Sequence, residues 1–117
     1  MGRLTTHILD TALGKPGAGI RIQLSRREGD SWTLIKTANT NDEGRVEQSL
    51  LEGDDFRVGQ YQLEFAAGEY FRATSVEITE PAFLDEVVIR FGIAFADQHY
   101  HVPLLLSPYS YSTYRGS

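Results

Sequence analysis

Cysteine is absent from these 117 residues. Neither a disulfide framework nor a thiolate metal site is available, so the fold must be held by a buried core, which a chain of this length can build. Positive charge is also short: 11 Lys and Arg stand against 16 Asp and Glu, a net charge of −5. The densest basic cluster is the pair Arg26-Arg27, too little to track a phosphate backbone, and nucleic acid is not expected as a partner. No apolar run approaches the roughly 20 residues that cross a bilayer. The opening Met1-Gly2-Arg3-Leu4-Thr5-Thr6-His7 has no apolar segment followed by a small-residue cleavage site. Met1-Gly2 with Thr6 fits a myristoylation pattern only loosely. No membrane is expected, and the chain as it stands reads as cytoplasmic. A Ser-His-Asp order, a nucleophile elbow, a phosphate-cradling loop and a dinucleotide fingerprint are all missing. Any hydrolysis would therefore use activated water rather than a covalent serine.

What is present is a period of two. Ile20, Ile22 and Leu24 alternate with Arg21, Gln23 and Ser25; Tyr61, Leu63 and Phe65 with Gln60, Gln62 and Glu64; Val87, Ile89 and Phe91 with Val88, Arg90 and Gly92. Successive strand side chains point to opposite faces, so each run reads as a strand with one face on a core. Turn residues separate the runs: Gly14-Lys15-Pro16-Gly17, Glu28-Gly29-Asp30-Ser31, the polar loop Asn39 to Gly44, and Ser107-Pro108. The pattern predicts strands near 4–10, 18–26, 32–39, 45–51, 59–67, 84–95, 98–106 and 109–115, with one helical turn near 68–75. Many short strands punctuated by turns make an all-β sandwich. No repeat or linker interrupts residues 1–117, which are expected to form a single domain.

Only three histidines occur: His7, His99 and His101. If Thr6 and Ile8 face the core, His7 and Leu9 face away from it. If Tyr100, Val102 and Leu104 face the core, His99 and His101 face away. Three readings are open: solvated surface imidazoles, a metal pair from His-x-His lacking a clear third ligand, or proton-transfer groups near neutral pH. Arg45, directly after Gly44, is either a solvated strand-start arginine or a guanidinium fork for a carbonyl, an enolate or a carboxylate. The segment Tyr109-Ser110-Tyr111-Ser112-Thr113-Tyr114-Arg115-Gly116-Ser117 alternates aromatic and hydroxyl side chains. It is either a frayed terminus or a strand with something to pack against.

The run Leu106-Ser107-Pro108-Tyr109-Ser110-Tyr111-Ser112-Thr113 resembles the signature of the transthyretin superfamily. Leu9-Asp10 followed by Gly14-Lys15-Pro16 resembles its first strand and turn. The ending Tyr114-Arg115-Gly116-Ser117 is similar to that of its 5-hydroxyisourate hydrolase branch. So are His7 before Ile-Leu-Asp, Arg45 in Asn-Asp-Glu-Gly-Arg, and His101 in His-Tyr-His-Val-Pro.

The resemblance implies a sandwich of two four-stranded sheets with one short helix. It implies a homotetramer, a dimer of dimers enclosing a channel with active sites at its mouths. It further implies hydrolysis of 5-hydroxyisourate in urate catabolism, with His7, Arg45 and His101 catalytic. Ser112, Tyr114, Arg115 and Ser117 would bind substrate, the Ser117 carboxylate orienting an arginine or histidine where the chain stops. No metal and no cofactor is implied, and His99 is left structural. The alternative within the same superfamily is a carrier of a hormone or another small ligand, whose channel would need small residues in place of Tyr114.

Overall fold

The computed structural model describes residues 2–74 and 77–116. Its elements are β1 (Leu4–Asp10), β2 (Lys15–Pro16), β3 (Arg21–Glu28), β4 (Ser31–Asn39), β5 (Gly59–Ala66), α1 (Ala67–Ala73), β6 (Glu86–Ile93), β7 (Tyr100–Leu106) and β8 (Tyr111–Thr113). The strands make two four-stranded sheets, ordered β2-β1-β7-β8 and β4-β3-β5-β6. No described helix is long and apolar enough to cross a membrane.

Period-two alternation decides what each strand buries. In β1, Leu4, Thr6, Ile8 and Asp10 are buried, while Thr5, His7 and Leu9 lie on the other side. Ile22 and Leu24 of β3, Tyr61, Leu63 and Phe65 of β5, Val87 and Ile89 of β6, and Tyr100, Val102, Leu104 and Leu106 of β7 meet them between the sheets. Phe91 is only partly buried and stacks on Tyr61 at 6.0 Å. Helix α1 follows β5 without a loop and adds Tyr70 and Phe71 to the same core.

The buried polar residues of β1 are fully engaged. Thr6 Oγ1 donates to the Val102 carbonyl at 2.7 Å. Asp10 accepts the Ala12 and Leu13 amides at one oxygen, 3.0 and 2.9 Å, and the Tyr70 hydroxyl at the other, 2.7 Å. Burial first, and then the Asp10 carboxylate, push the Tyr70 phenol far above its ordinary value, so it remains a donor to Asp10.

Three expected elements differ. Residues 45–51 do not form a ladder. They touch β1 only at its ends, as isolated bridges His7↔Arg45 and Leu4↔Leu51. Between these contacts β1 advances three residues and the segment six, so the surplus must arc away from the sheet. Lys15–Pro16, expected as a turn, pairs with Asp10 and Leu9 instead; an edge position tolerates a proline because its missing N–H faces no partner. The last strand keeps only Tyr111–Thr113 of the expected 109–115. The Ser107 to Ser110 turn uses the residues before it, Ser107 N–H donating to the Ser110 carbonyl at 2.9 Å.

Candidate active site

The parallel pairing of β1 with β7 sets Thr5 beside His101, His7 beside Pro103 and Leu9 beside Leu105. Paired residues share a face, so the side of the sheet turned away from the core carries both imidazoles. His99 precedes β7 and is exposed outside the ladder; its carbonyl accepts a hydrogen bond from the Arg115 guanidinium.

Arg45 reaches this face through a built turn. Asn41 Oδ1 accepts the Glu43 and Arg45 amides at 2.9 and 3.1 Å, and the Asn41 amide donates to the Arg45 carbonyl at 2.7 Å. Gly44 closes the turn at φ 76°, a conformation that favours glycine. Its carbonyl accepts the Ile8 amide at 2.8 Å, so Arg45 lands directly beside His7. Among the described residues the Arg45 guanidinium has no hydrogen-bond or ion-pair partner, which leaves its donors open.

The same turn fixes His7. Its Nε2 lies 2.9 Å from the Glu43 carbonyl. A carbonyl only accepts, so Nε2 carries the proton and a neutral His7 holds its lone pair on Nδ1. His101 is held on both sides. Nδ1 lies 2.8 Å from Thr5 Oγ1. On the other side the Gly116 amide donates to the His101 carbonyl at 2.7 Å, and the His101 amide returns to the Gly116 carbonyl at 3.3 Å. Burial, then the Arg45 charge, then His7, hold the His101 imidazole below its ordinary range. Arg45 and His7 both therefore reach it, and the three groups form one constellation.

The C-terminal segment divides by parity. Ser112 stands opposite Leu105, and alternation puts Tyr114, 62% exposed, on the same outward face. Thr113 anchors the segment by donating to the Pro103 carbonyl at 2.7 Å. Arg115 points the other way. Its Cζ lies 4.0 Å from the Tyr100 ring centroid, and its Nη2 donates to Gln98 Oε1 and the His99 carbonyl, each at 3.0 Å. The fold thus takes the Arg115 guanidinium away from the histidine face, where direct substrate contact was expected. Ser117 lies outside the described residues. Sequence reasoning passed over Thr5 and Asn41. The Asn-Asp-Glu-Gly order does signal a side-chain-capped turn, but nothing marks Thr5 before its register with His101 is known.

The face is chemically equipped for attack by water on a flat, polar carbonyl compound: two imidazoles with assigned hydrogen-bond partners and one open guanidinium. No three described His, Asp or Glu side chains cluster as a metal site would require.

The HIUase/Transthyretin family model matches residues 4–116. The chain belongs to the HIUase/Transthyretin family. Within it, the chain is 66% identical over 117 residues to a 5-hydroxyisourate hydrolase of Pseudomonas aeruginosa, covering 100% of this chain and 93% of that one. Among solved structures it matches an (S)-allantoin synthase with a TM-score of 0.94 and 47% identity; the match covers 99% of this chain but only 44% of that longer one. Transthyretin from Sparus aurata matches with a TM-score of 0.86 and 27% identity, covering 99% of this chain and 97% of that one. The fold is therefore common to hydrolase and transthyretin members of the family.

Proposed function

We propose that the chain hydrolyses 5-hydroxyisourate to 2-oxo-4-hydroxy-4-carboxy-5-ureidoimidazoline in urate catabolism, with His7, Arg45 and His101 catalytic. The observation that carries this is the convergence of two imidazoles and an open guanidinium on one sheet face. It is supported by 66% identity to a 5-hydroxyisourate hydrolase along the whole chain.

In this reading a water oxygen bonds to a carbonyl carbon of the six-membered ring while one imidazole takes the water proton. The carbonyl oxygen becomes an oxyanion, and Arg45 offsets its charge. The ring C–N bond then breaks, the nitrogen takes up a proton from an imidazolium, and the new carboxyl group ionises. Ser112, Tyr114 and Ser117 complete the pocket around the ring. Arg115 contributes indirectly, by holding the segment that carries them. These steps draw on side chains alone.

The reading also has four copies close the site, as a dimer of dimers. It is supported by two observations. The histidine face carries the apolar Leu9 and Leu105 half-buried in one chain, and β8 and β6 each end a sheet, leaving ladder groups for a second copy. Light scattering at the peak of a sizing column tests the tetramer. We place the reaction in the cytoplasm, which fractionation of the source cell tests.

The decisive assay generates 5-hydroxyisourate in situ from urate and urate oxidase and follows its ultraviolet absorbance. The intermediate should disappear well above its spontaneous rate when the protein is added. Decay unchanged at micromolar protein would leave the carrier reading, and ligand binding without turnover would establish it.

A further inference from the structure

The least explained contact at the site is the one between Thr5 and His101. Thr5 Oγ1 and His101 Nδ1 stand 2.8 Å apart across the β1–β7 pair, and among the described residues the Thr5 hydroxyl makes no other hydrogen bond. On the opposite side of the ring, a Cβ built on Gly116 would fall 2.9 Å from His101 Cδ2 and 3.1 Å from its Cβ. The imidazole therefore sits in a slot, its Nδ1 edge on Thr5 and its Cδ2 edge on Gly116. Its Cγ points back to the sheet, so the Nε2 and Cε1 edges are the ones left to the open face.

Which ring nitrogen carries the proton in neutral His101 then depends on Thr5. A hydroxyl can donate or accept. If it donates to Nδ1, Nε2 carries hydrogen and offers no lone pair to water. If it accepts from Nδ1–H, Nε2 is a free base aimed at the open face. The second arrangement also survives proton uptake, because the imidazolium keeps its Nδ1–H on Thr5. His7 has its own partner in the Glu43 carbonyl, so the two imidazoles are oriented independently. Arg45 from the turn and His7 from β1 are the groups whose charge would reach His101, while the hydrogen bond at its Nδ1 is with Thr5.

We propose that Thr5 is a positioning residue, whose hydroxyl accepts the His101 Nδ1–H and so presents Nε2 to water as the base of the ring-opening step. The proposal rests on the hydrolase reading above and deepens it. Its test is built on two substitutions, Thr5→Val, which keeps the shape and removes the hydroxyl, and Thr5→Ser, which restores it. Nitrogen-15 NMR of the imidazoles at a pH where His101 is neutral reads the tautomer without any substrate. The unaltered protein should show His101 protonated at Nδ1, Thr5→Val should lose that preference, and Thr5→Ser should regain it. In the absorbance assay, Thr5→Val should lower kcat about ten-fold, the size of one ordinary hydrogen bond, with KM changed much less. Thr5→Ser should recover most of the loss.

Protonation at Nε2 in the unaltered protein would overturn the proposal, as would a tautomer or a kcat indifferent to Thr5→Val. If the unaltered protein has no turnover, the hydrolase reading fails and takes the catalytic role of Thr5 with it, while the NMR arm still reports who sets the tautomer.

Discussion

Gly116 offers the sharpest test of whether the C-terminal segment serves the site or merely trails from it. Its φ is not in the left-handed region, so nothing in the backbone demands glycine there; the demand is steric. In Gly116→Ala the new methyl would lie 2.9 Å from His101 Cδ2, about 0.6 Å inside the near edge of ordinary carbon contact. The ring cannot absorb this freely, because moving away from residue 116 drives it onto Thr5 Oγ1, already at 2.8 Å. The alternative is to lengthen the 2.7 Å bond from the residue 116 amide to the His101 carbonyl and let the tail lift. Either response displaces a reacting group by about half an ångström, and since a 1 Å misplacement can cost about 100-fold, roughly ten-fold in kcat is expected. Stability should hardly respond, within about 1 kcal/mol, because the tail buries little and can move. The measurements are kcat from the 5-hydroxyisourate absorbance assay and a melting curve on the same sample. An alanine variant that turns over within two-fold of the unaltered protein, or that loses activity only in step with melting, would refute the steric argument.

Three further outcomes are expected. His101→Asn should lower kcat by roughly 10²–10⁴, the range for a lost general acid–base group, and leave the sizing-column mass unchanged; near-normal turnover removes His101 from the mechanism. Burial, the Arg45 charge and His7 depress the His101 pKa, so the unfolded chain binds the proton more readily and protonation opposes the fold. The His101 contribution to stability should be complete above about pH 6.5 and decline as pH falls through the folded value. The acid limb of kcat/KM should lie below that same pH, and Arg45→Gln should move the His101 NMR titration upward; a limb at or above pH 7 contradicts the sign. Tyr70→Phe removes the donor from one buried Asp10 oxygen and should cost about 1–3 kcal/mol, read as a melting temperature lowered by several degrees with kcat preserved below the transition.

How much of this the chain displays before it folds depends on the range of the interaction. Parity within a strand is local, so Thr6 and Ile8 inward with His7 outward, and Tyr100 and Val102 inward with His101 outward, follow from alternation alone and stand in the structure. The same rule, pushed one step further, separates Ser112, Tyr114 and Gly116 from Arg115, whose guanidinium does lie on the Tyr100 side; the family signature had suggested substrate contact for it instead. Register between strands is not local. That β1 and β7 run parallel with Thr5 against His101 is a tertiary fact, and without it Thr5 is one more strand threonine. The arc of residues 45–51 was hidden for a related reason. Its apolar and polar residues suit a strand, but its two anchor points on β1 are too close together for the number of residues between them.

Period-two alternation also explains how one sandwich can serve both a hydrolase and a transthyretin. The inward half of β1 and β7 (Leu4, Ile8, Tyr100, Val102, Leu104) is committed to the core between the sheets. The outward half (Thr5, His7, His101, Leu105) contributes little to that core, so the packing between the sheets does not dictate it. A change on the outward face alters chemistry at small cost to folding, whereas a change on the inward face does the reverse. A match of TM-score 0.86 at 27% identity to a transthyretin is what such a division allows. It follows that the inward set should tolerate only volume-conserving exchange, while substitutions confined to His7, Arg45 and His101 should abolish turnover and leave a folded, transthyretin-shaped protein behind.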